Sequence, residues 1–260
     1  MGRRRRSRIR CVLFDLVKTL VRYDHKTVFA RLVRLSGKTE ADVDRVFYGG
    51  PDPAGCTEGV LGYHADRGDF GDAEFISEFR RLLSIDSHVP DPEIARSLKF
   101  SYELPGDTRR LLLTLCDSLP MGIVSDLNNL QWSHVNKTFP TLSEEYDVMS
   151  FHVLSYREKY LKPDQRIFER AYAAAYEVVG NTGAKPLLPE ECLFFDDELR
   201  NVRGAQRFGI EAWHASDGYP SIVEGLYQYR IPLHESTHIP RNPQLKKGES
   251  KVRPHIPAAE

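Results

Sequence analysis

Cys11-Val12-Leu13-Phe14-Asp15-Leu16-Val17-Lys18-Thr19-Leu20 sets four apolar residues directly against a carboxylate. A short run of that kind reads as a strand buried on both faces, and Asp15 then stands at its carboxyl end. The pattern recurs downstream. Met121-Gly122-Ile123-Val124 reads as a strand ending at Ser125, and Leu193-Phe194-Phe195 as one ending at Asp196, with Asp197 next in line. Residues 148–154 and 210–214 supply two more. Between them lie helical patterns over 106–118, 128–139, 164–179, 199–208 and 221–229. The third carries Ile167, Phe168, Ala171, Ala174 and Ala175 on one side, with Pro163 just before its start. Gly209 is placed to close the fourth. Strands alternating with helices predict an α/β fold with a Rossmann-like parallel sheet.

Residues 21–103 break this rhythm. Helical patterns over 28–35, 41–47 and 72–83 appear without a convincing strand. The segment sits between the first and second core strands and reads as an inserted helical cap over the strand ends. The expected organisation is a core of residues 8–20 plus 104–231, a cap of residues 21–103 and a loosely attached tail of residues 232–260. That tail is rich in Pro, Lys, His and Glu and poor in large apolar residues.

Composition narrows the function classes. With 260 residues, 41% hydrophobic and 28% charged, the chain reads as a soluble globular protein. A formal net charge of −1 gives no global attraction to nucleic acid or acidic lipid. No run of about 18 apolar residues suggests a membrane span. The six arginines among residues 1–10 are followed by only four apolar residues, too few for a secretory signal. They read as a solvated leader, with weak anion or nucleic-acid contact as the other reading. None of the four cysteines, Cys11, Cys56, Cys116 and Cys192, forms a CxxC pair. Cys11 and Cys192 fall in buried strands as small apolar residues. A reducing cytoplasmic location is compatible with this usage.

In open parallel sheets, ligands bind outside the carboxyl ends of the strands. Asp15, Ser125, Asp196, Asp197 and the segment leading to Lys162 all fall there. Three carboxylates in one crevice repel unless a cation joins them, and Mg²⁺ accepts oxygen ligands of this kind. Lys162 can hold a phosphate oxygen as a point charge and Ser125 can donate to another. A carboxylate so placed is a candidate nucleophile toward phosphorus.

Four segments carry a family resemblance. Residues 12–20 are similar to the first motif of the haloacid dehalogenase (HAD) superfamily, hhhDxDGTL. Residues 121–125 resemble the second motif. Residues 155–168, SYREKYLKPDQRIF, resemble the third, with Lys162 as its lysine. Residues 192–209, CLFFDDELRNVRGAQRFG, resemble the fourth, with Asp196 and Asp197 as the acidic pair and Asn201, Gly204, Ala205 and Gly209 matching downstream. The insertion takes the position of a C1-type cap. The resemblance implies Asp15 as nucleophile and Mg²⁺ ligand, and the Val17 carbonyl, Asp196 and Asp197 as further metal ligands. It also implies Thr19, Ser125 and Lys162 as the phosphoryl-binding groups.

One position departs from the family. Its phosphatases carry a second aspartate two residues after the nucleophile, which protonates the leaving group and then activates water. Val17 does neither. The expected function is a Mg²⁺-dependent phosphohydrolase or phosphotransferase acting on a small phosphorylated metabolite, with impaired acid/base catalysis. The alternative is an inactive pseudophosphatase that binds a phosphorylated ligand, or a protein partner through the cap. A phosphonatase-like C–P hydrolase is a further alternative. It would need a cap lysine, and neither Lys26 nor Lys38 stands in a persuasive context for one. The acidic pair argues against dehalogenase activity.

Overall fold

A computed structural model describes residues 9–49, 60–180 and 185–233. The leader up to residue 8, Cys56 and nearly all of the predicted tail lie outside the described residues. In chain order the elements are β1 (Cys11–Phe14), β2 (Arg22–Asp24), α1 (His25–Ser36), α2 (Glu40–Tyr48), α3 (Leu61–Asp66), α4 (Asp72–Leu82), α5 (Asp91–Ser97), β3 (Ser101–Glu103) and α6 (Gly106–Leu115). There follow β4 (Met121–Ser125), α7 (Asn129–Thr138), β5 (Phe151–Leu154), the single turn α8 (Ser155–Glu158) and α9 (Gln165–Gly180). The chain ends with β6 (Cys192–Asp196), α10 (Leu199–Phe208), β7 (Glu211–His214) and α11 (Tyr219–Gln228).

The parallel sheet predicted from the alternating pattern is present, five strands in the order β5-β4-β1-β6-β7, every pair parallel. β1, β4 and β6 are buried along their whole length because helices cover both faces. The two-residue period of a strand splits their side chains. Val12, Phe14, Leu193 and Phe195 enter one apolar cluster, with Phe14 and Phe195 stacked at 5.4 Å. Cys11, Leu13, Cys192 and Phe194 enter the cluster on the opposite face. Cys11 and Cys192 are thus buried free thiols, as expected. Gly209 closes α10 at φ 108°, the left-handed conformation read from sequence.

Three expectations need correction. The strand predicted over 148–154 is shorter. Its first pair in register is Gly122 with Phe151, and Val148 and Met149 bury their side chains in the core ahead of it. Residues 21–103 do contain strands. β2 and β3 pair antiparallel, with Tyr23 opposite Tyr102, where the chain leaves the core and where it returns. Three residues alternating polar, Tyr, polar are too short to show a period. The segment also holds two helices beyond those predicted, α3 and α5. With α1, α2 and α4 they bury Val28, Phe47, Phe79 and Ile94 in a third apolar cluster separate from the two on the sheet. No helix among the described residues is long and apolar enough to cross a membrane.

α2 and α3 approach closely at Gly62. A β-carbon there would meet the Phe47 carbonyl oxygen at 2.3 Å, a backbone atom that cannot rotate away. Gly62→Ala should therefore separate the two helices and destabilise the protein by ~1–3 kcal/mol, the usual scale of overpacking. Urea unfolding followed by circular dichroism measures it; a loss below about 0.5 kcal/mol, the ordinary surface-substitution range, would show that the helices give way freely.

Candidate active site

β1 lies between β4 and β6, so Asp15, Ser125 and Asp196 leave the sheet side by side at one edge. The Asp15 N–H donates to the Phe195 carbonyl at 2.8 Å, carrying the ladder one residue past the strand. The chain then reverses at once. Leu20 and Val21 both donate their N–H to the Leu16 carbonyl at 2.9 Å. Lys18 takes the left-handed backbone the turn requires, at φ 65°, a conformation that favours glycine and asparagine. Its side chain is 57% exposed at the rim, with Nζ 3.9 Å from an Asp197 oxygen.

Lys162 joins the site together. Its side chain is 2% exposed, and Nζ donates to Asp15 Oδ1 at 2.5 Å and to Asp196 Oδ2 at 2.7 Å. Asp15 Oδ1 also accepts from Ser125 Oγ at 3.1 Å. Asp15 Oδ2 has no hydrogen bond among the described residues. The other end of Lys162 is held too, because its backbone N–H donates to both oxygens of Asp126 at 3.1 and 3.2 Å. Asp196 Oδ1 accepts from the Glu198 N–H at 2.8 Å and from Asn201 Nδ2 at 3.1 Å. Thr19 Oγ1 accepts from the Asp197 N–H at 3.1 Å. Asp15, Thr19, Ser125, Lys162, Asp196 and Asp197 therefore meet at one place.

The charge balance is uneven. Asp15, Asp126, Asp196 and Asp197 face one buried ammonium. Burial pushes the Asp15 carboxyl up to about 7; Lys162 pulls it down, and Asp196 and Asp197 push it back up. Burial likewise raises Asp126 to about 6, against the pull of Lys162. Asp197 is raised by burial and by Asp196. Burial opposes the charge on Lys162, but Asp15, Asp196 and Asp126 outweigh it and keep the ammonium protonated. Asp15 rises because burial outweighs the pull of Lys162, and Lys162 rises because three acids outweigh its own burial.

This surplus bears on the expected Mg²⁺. Among the described residues no three acidic, His or Cys side chains are already gathered as a metal-binding cluster; Lys162 stands between Asp15 and Asp196. The donors nevertheless fit a hard cation. They are all oxygens, carry more negative charge than Lys162 offsets, and include the Asn201 Oδ1, a buried acceptor with no partner.

A cavity of about 340 Å³ opens over the site. Asp15, Val17, Lys18, Asp126, Lys162 and Asp197 line its sheet side, and Phe47, Tyr48, Gly62, Tyr63 and Asp66 its helical side. Tyr23 and Tyr102 of the ribbon lie between them. Ser125, Thr19 and Asp196 are buried behind the wall. Sequence reasoning missed Asp126, Asp66 and the tyrosines. Asp126 follows Ser125 at a strand end and could have been found on that ground. Asp66 sits in a short helix with no periodic signal.

No family profile and no curated protein matches the chain. Solved structures do. It is similar to a HAD-like family hydrolase from Porphyromonas gingivalis, with a TM-score of 0.64 and 21% identity over 85% of this chain and 98% of that one. It is also similar to a HAD family enzyme from Bacteroides thetaiotaomicron in complex with magnesium and inorganic phosphate, with a TM-score of 0.59 and 22% identity over 79% of this chain and 93% of that one. The L-2-haloacid dehalogenase of Xanthobacter autotrophicus follows, with a TM-score of 0.51 and 19% identity over 86% of this chain and 84% of that one. The chain has the HAD fold.

Lys162→Met should leave buried carboxylates without their cation and cost ~3–5 kcal/mol at pH 7, measured by urea unfolding in the absence of divalent ions. The loss should shrink on acidification. Asp15 binds its proton more tightly when folded, near 7, than when unfolded, near about 3.9. Without the pull of Lys162 the variant holds that proton to a still higher pH, so the loss grows as pH rises above about 7 and shrinks as pH falls toward it. A loss independent of pH would contradict this charge balance.

Proposed function

We propose that this chain is a Mg²⁺-dependent phosphohydrolase or phosphotransferase that acts on a small phosphorylated metabolite through an aspartyl-phosphate on Asp15. The observation that carries the reading is the asymmetry of Asp15. Oδ1 is tied down by Lys162 and Ser125, while Oδ2 has no hydrogen-bond partner among the described residues, beside the cavity. A carboxylate oriented by one oxygen and free at the other is set for in-line attack on phosphorus. The similar enzyme from Bacteroides thetaiotaomicron, with magnesium and inorganic phosphate, supports the choice of ligand.

Asp15, the Val17 carbonyl, Asp196 and Asp197 would hold the metal. When bound, Mg²⁺ neutralises charge on the phosphoryl group and on the surrounding acids. Lys162, Ser125 and Thr19 would bind the phosphoryl oxygens, Lys162 with the ammonium proton that neither Asp15 nor Asp196 takes. Asp126 keeps Lys162 in place through its backbone.

The second reading is a chain that binds a phosphorylated ligand, or a protein partner over the helical segment, without turnover. What favours it is Val17, which lines the cavity and packs against the apolar core. The C–P hydrolase reading has less support. None of the three lysines of residues 21–103, Lys26, Lys38 and Lys99, lines the cavity.

Two measurements separate these readings. With Mg²⁺ and acetyl phosphate, an acid quench and intact-mass analysis should show a single phosphoryl adduct that Asp15→Asn abolishes. The absence of both adduct and turnover with every activated donor would favour the ligand-binding reading. Val17→Asp should raise turnover on alkyl phosphates by ~10-fold or more, toward the ~10²–10⁴ that acid/base catalysis contributes. A folded variant with no gain would locate the limitation elsewhere.

A further inference from the structure

Val17 leaves the leaving-group side of the reaction without a proton. In-line displacement places the departing oxygen opposite Asp15, toward the helical wall of the cavity. Lys18 is not suited to the task, as its side chain lies at the rim beside Asp197. The carboxyl on the helical wall belongs to Asp66, the last residue of α3.

Asp66 is held firmly over the sheet. Asn128 Nδ2 donates to Asp66 Oδ1 at 3.1 Å, and Ser155 Oγ donates to its backbone carbonyl at 2.5 Å. Asn129 Nδ2 donates to Asp72 Oδ2 at 2.7 Å, fixing the start of α4. The two asparagine bonds join the 66–72 turn to the loop after β4, which carries Asp126, and the Ser155 bond joins it to α8. The distance from Asp66 to the nucleophile is thereby set by the core and not by the helices alone. Asp66 Oδ2 has no hydrogen-bond partner among the described residues, and no Lys or Arg forms an ion pair with Asp66 there. Its neighbours are Asn128, Asp126 and the hydroxyls of Tyr48 and Tyr102. Burial, reinforced by Asp126 and opposed by Asn128, lifts its carboxyl to about 7, which suits a group that must give and take a proton near neutrality.

We propose that Asp66 is the general acid and base of the reaction, taking the place that Val17 has vacated. The proposal rests on the Asp15 reading above. In the first step Asp15 Oδ2 bonds to phosphorus, the bond from phosphorus to the leaving oxygen breaks, and that oxygen takes the Asp66 proton. The alcohol departs and Asp66 remains as carboxylate. In the second step a water gives a proton to Asp66 while its oxygen bonds to phosphorus. The bond from phosphorus to Asp15 breaks, phosphate departs, and both carboxyls return to their starting state.

The test compares wild type, Asp66→Asn and Val17→Asp/Asp66→Asn, each with Mg²⁺, on acetyl phosphate and on β-glycerol phosphate. Asparagine can still accept the Asn128 bond but carries no proton to transfer. Asp66→Asn should lower the ratio of turnover on β-glycerol phosphate to that on acetyl phosphate by ~10²-fold, since protonation matters most for a poor leaving group. That ratio does not depend on how much of the variant is folded. The Asp15 adduct formed from acetyl phosphate should persist at least ~10-fold longer in Asp66→Asn, because its hydrolysis loses the base. Val17→Asp should restore both readouts in the double variant, which it would not do if Asp66 only held α3 in place. A wild-type adduct with an unchanged ratio and lifetime in Asp66→Asn overturns this proposal alone. No adduct and no turnover in wild type with either donor overturns it together with the Asp15 reading.

Discussion

The ammonium of Lys162 sits where two strands deliver carboxylates, and nearly everything else about the site follows from the need to keep it there. A lysine buried to this degree is unfavourable unless acids surround it, and acids packed this closely are unfavourable unless a cation joins them. Each cost offsets the other only when the geometry is right. That geometry comes from three separate parts of the chain: the end of β1, the end of β6 and the loop before α9. Asp126 adds a fourth by gripping the lysine's backbone. The sheet is thus more than a scaffold. Its strand order is what places Asp15 and Asp196 on either side of one nitrogen.

Much of this was legible in the sequence because it depends on short-range rules. An apolar run that stops at a carboxylate or a hydroxyl marks both a strand and the edge on which ligands bind. Repeating that pattern at Asp15, Ser125 and Asp196 identified the parallel sheet and the site together. Lys162 lies on a loop with no periodicity, some way beyond its strand, and its resemblance to a known motif is what adds weight to it. The left-handed turn at Lys18 left no trace in the side-chain pattern, since backbone handedness is invisible when the residue is not glycine. β2 and β3 were missed for a related reason. Each is three residues long, and what pairs them is the closure of a loop of more than seventy residues, a long-range event.

Asp66 illustrates the same limit for function. Nothing around it in sequence distinguishes it from a surface acid at a helix end. Its surroundings come from Asn128 and Ser155, far along the chain. The candidate side chains supplied by strand ends can be read because the strand announces itself. Those supplied by the insertion can be identified only after the insertion has been placed.

The β2–β3 ribbon has a consequence for how such proteins diversify. Because Asp24 and Ser101 are paired in register, the helical segment begins and ends at almost the same point on the core. The core strands are therefore indifferent to how long the intervening chain is or what it contains. Helices can be exchanged, lengthened or recombined between the two tyrosine-bearing strands without disturbing the register of β1 against β4 and β6. A change within that segment alters the helical wall of the cavity and leaves the carboxylates at the strand ends where they are.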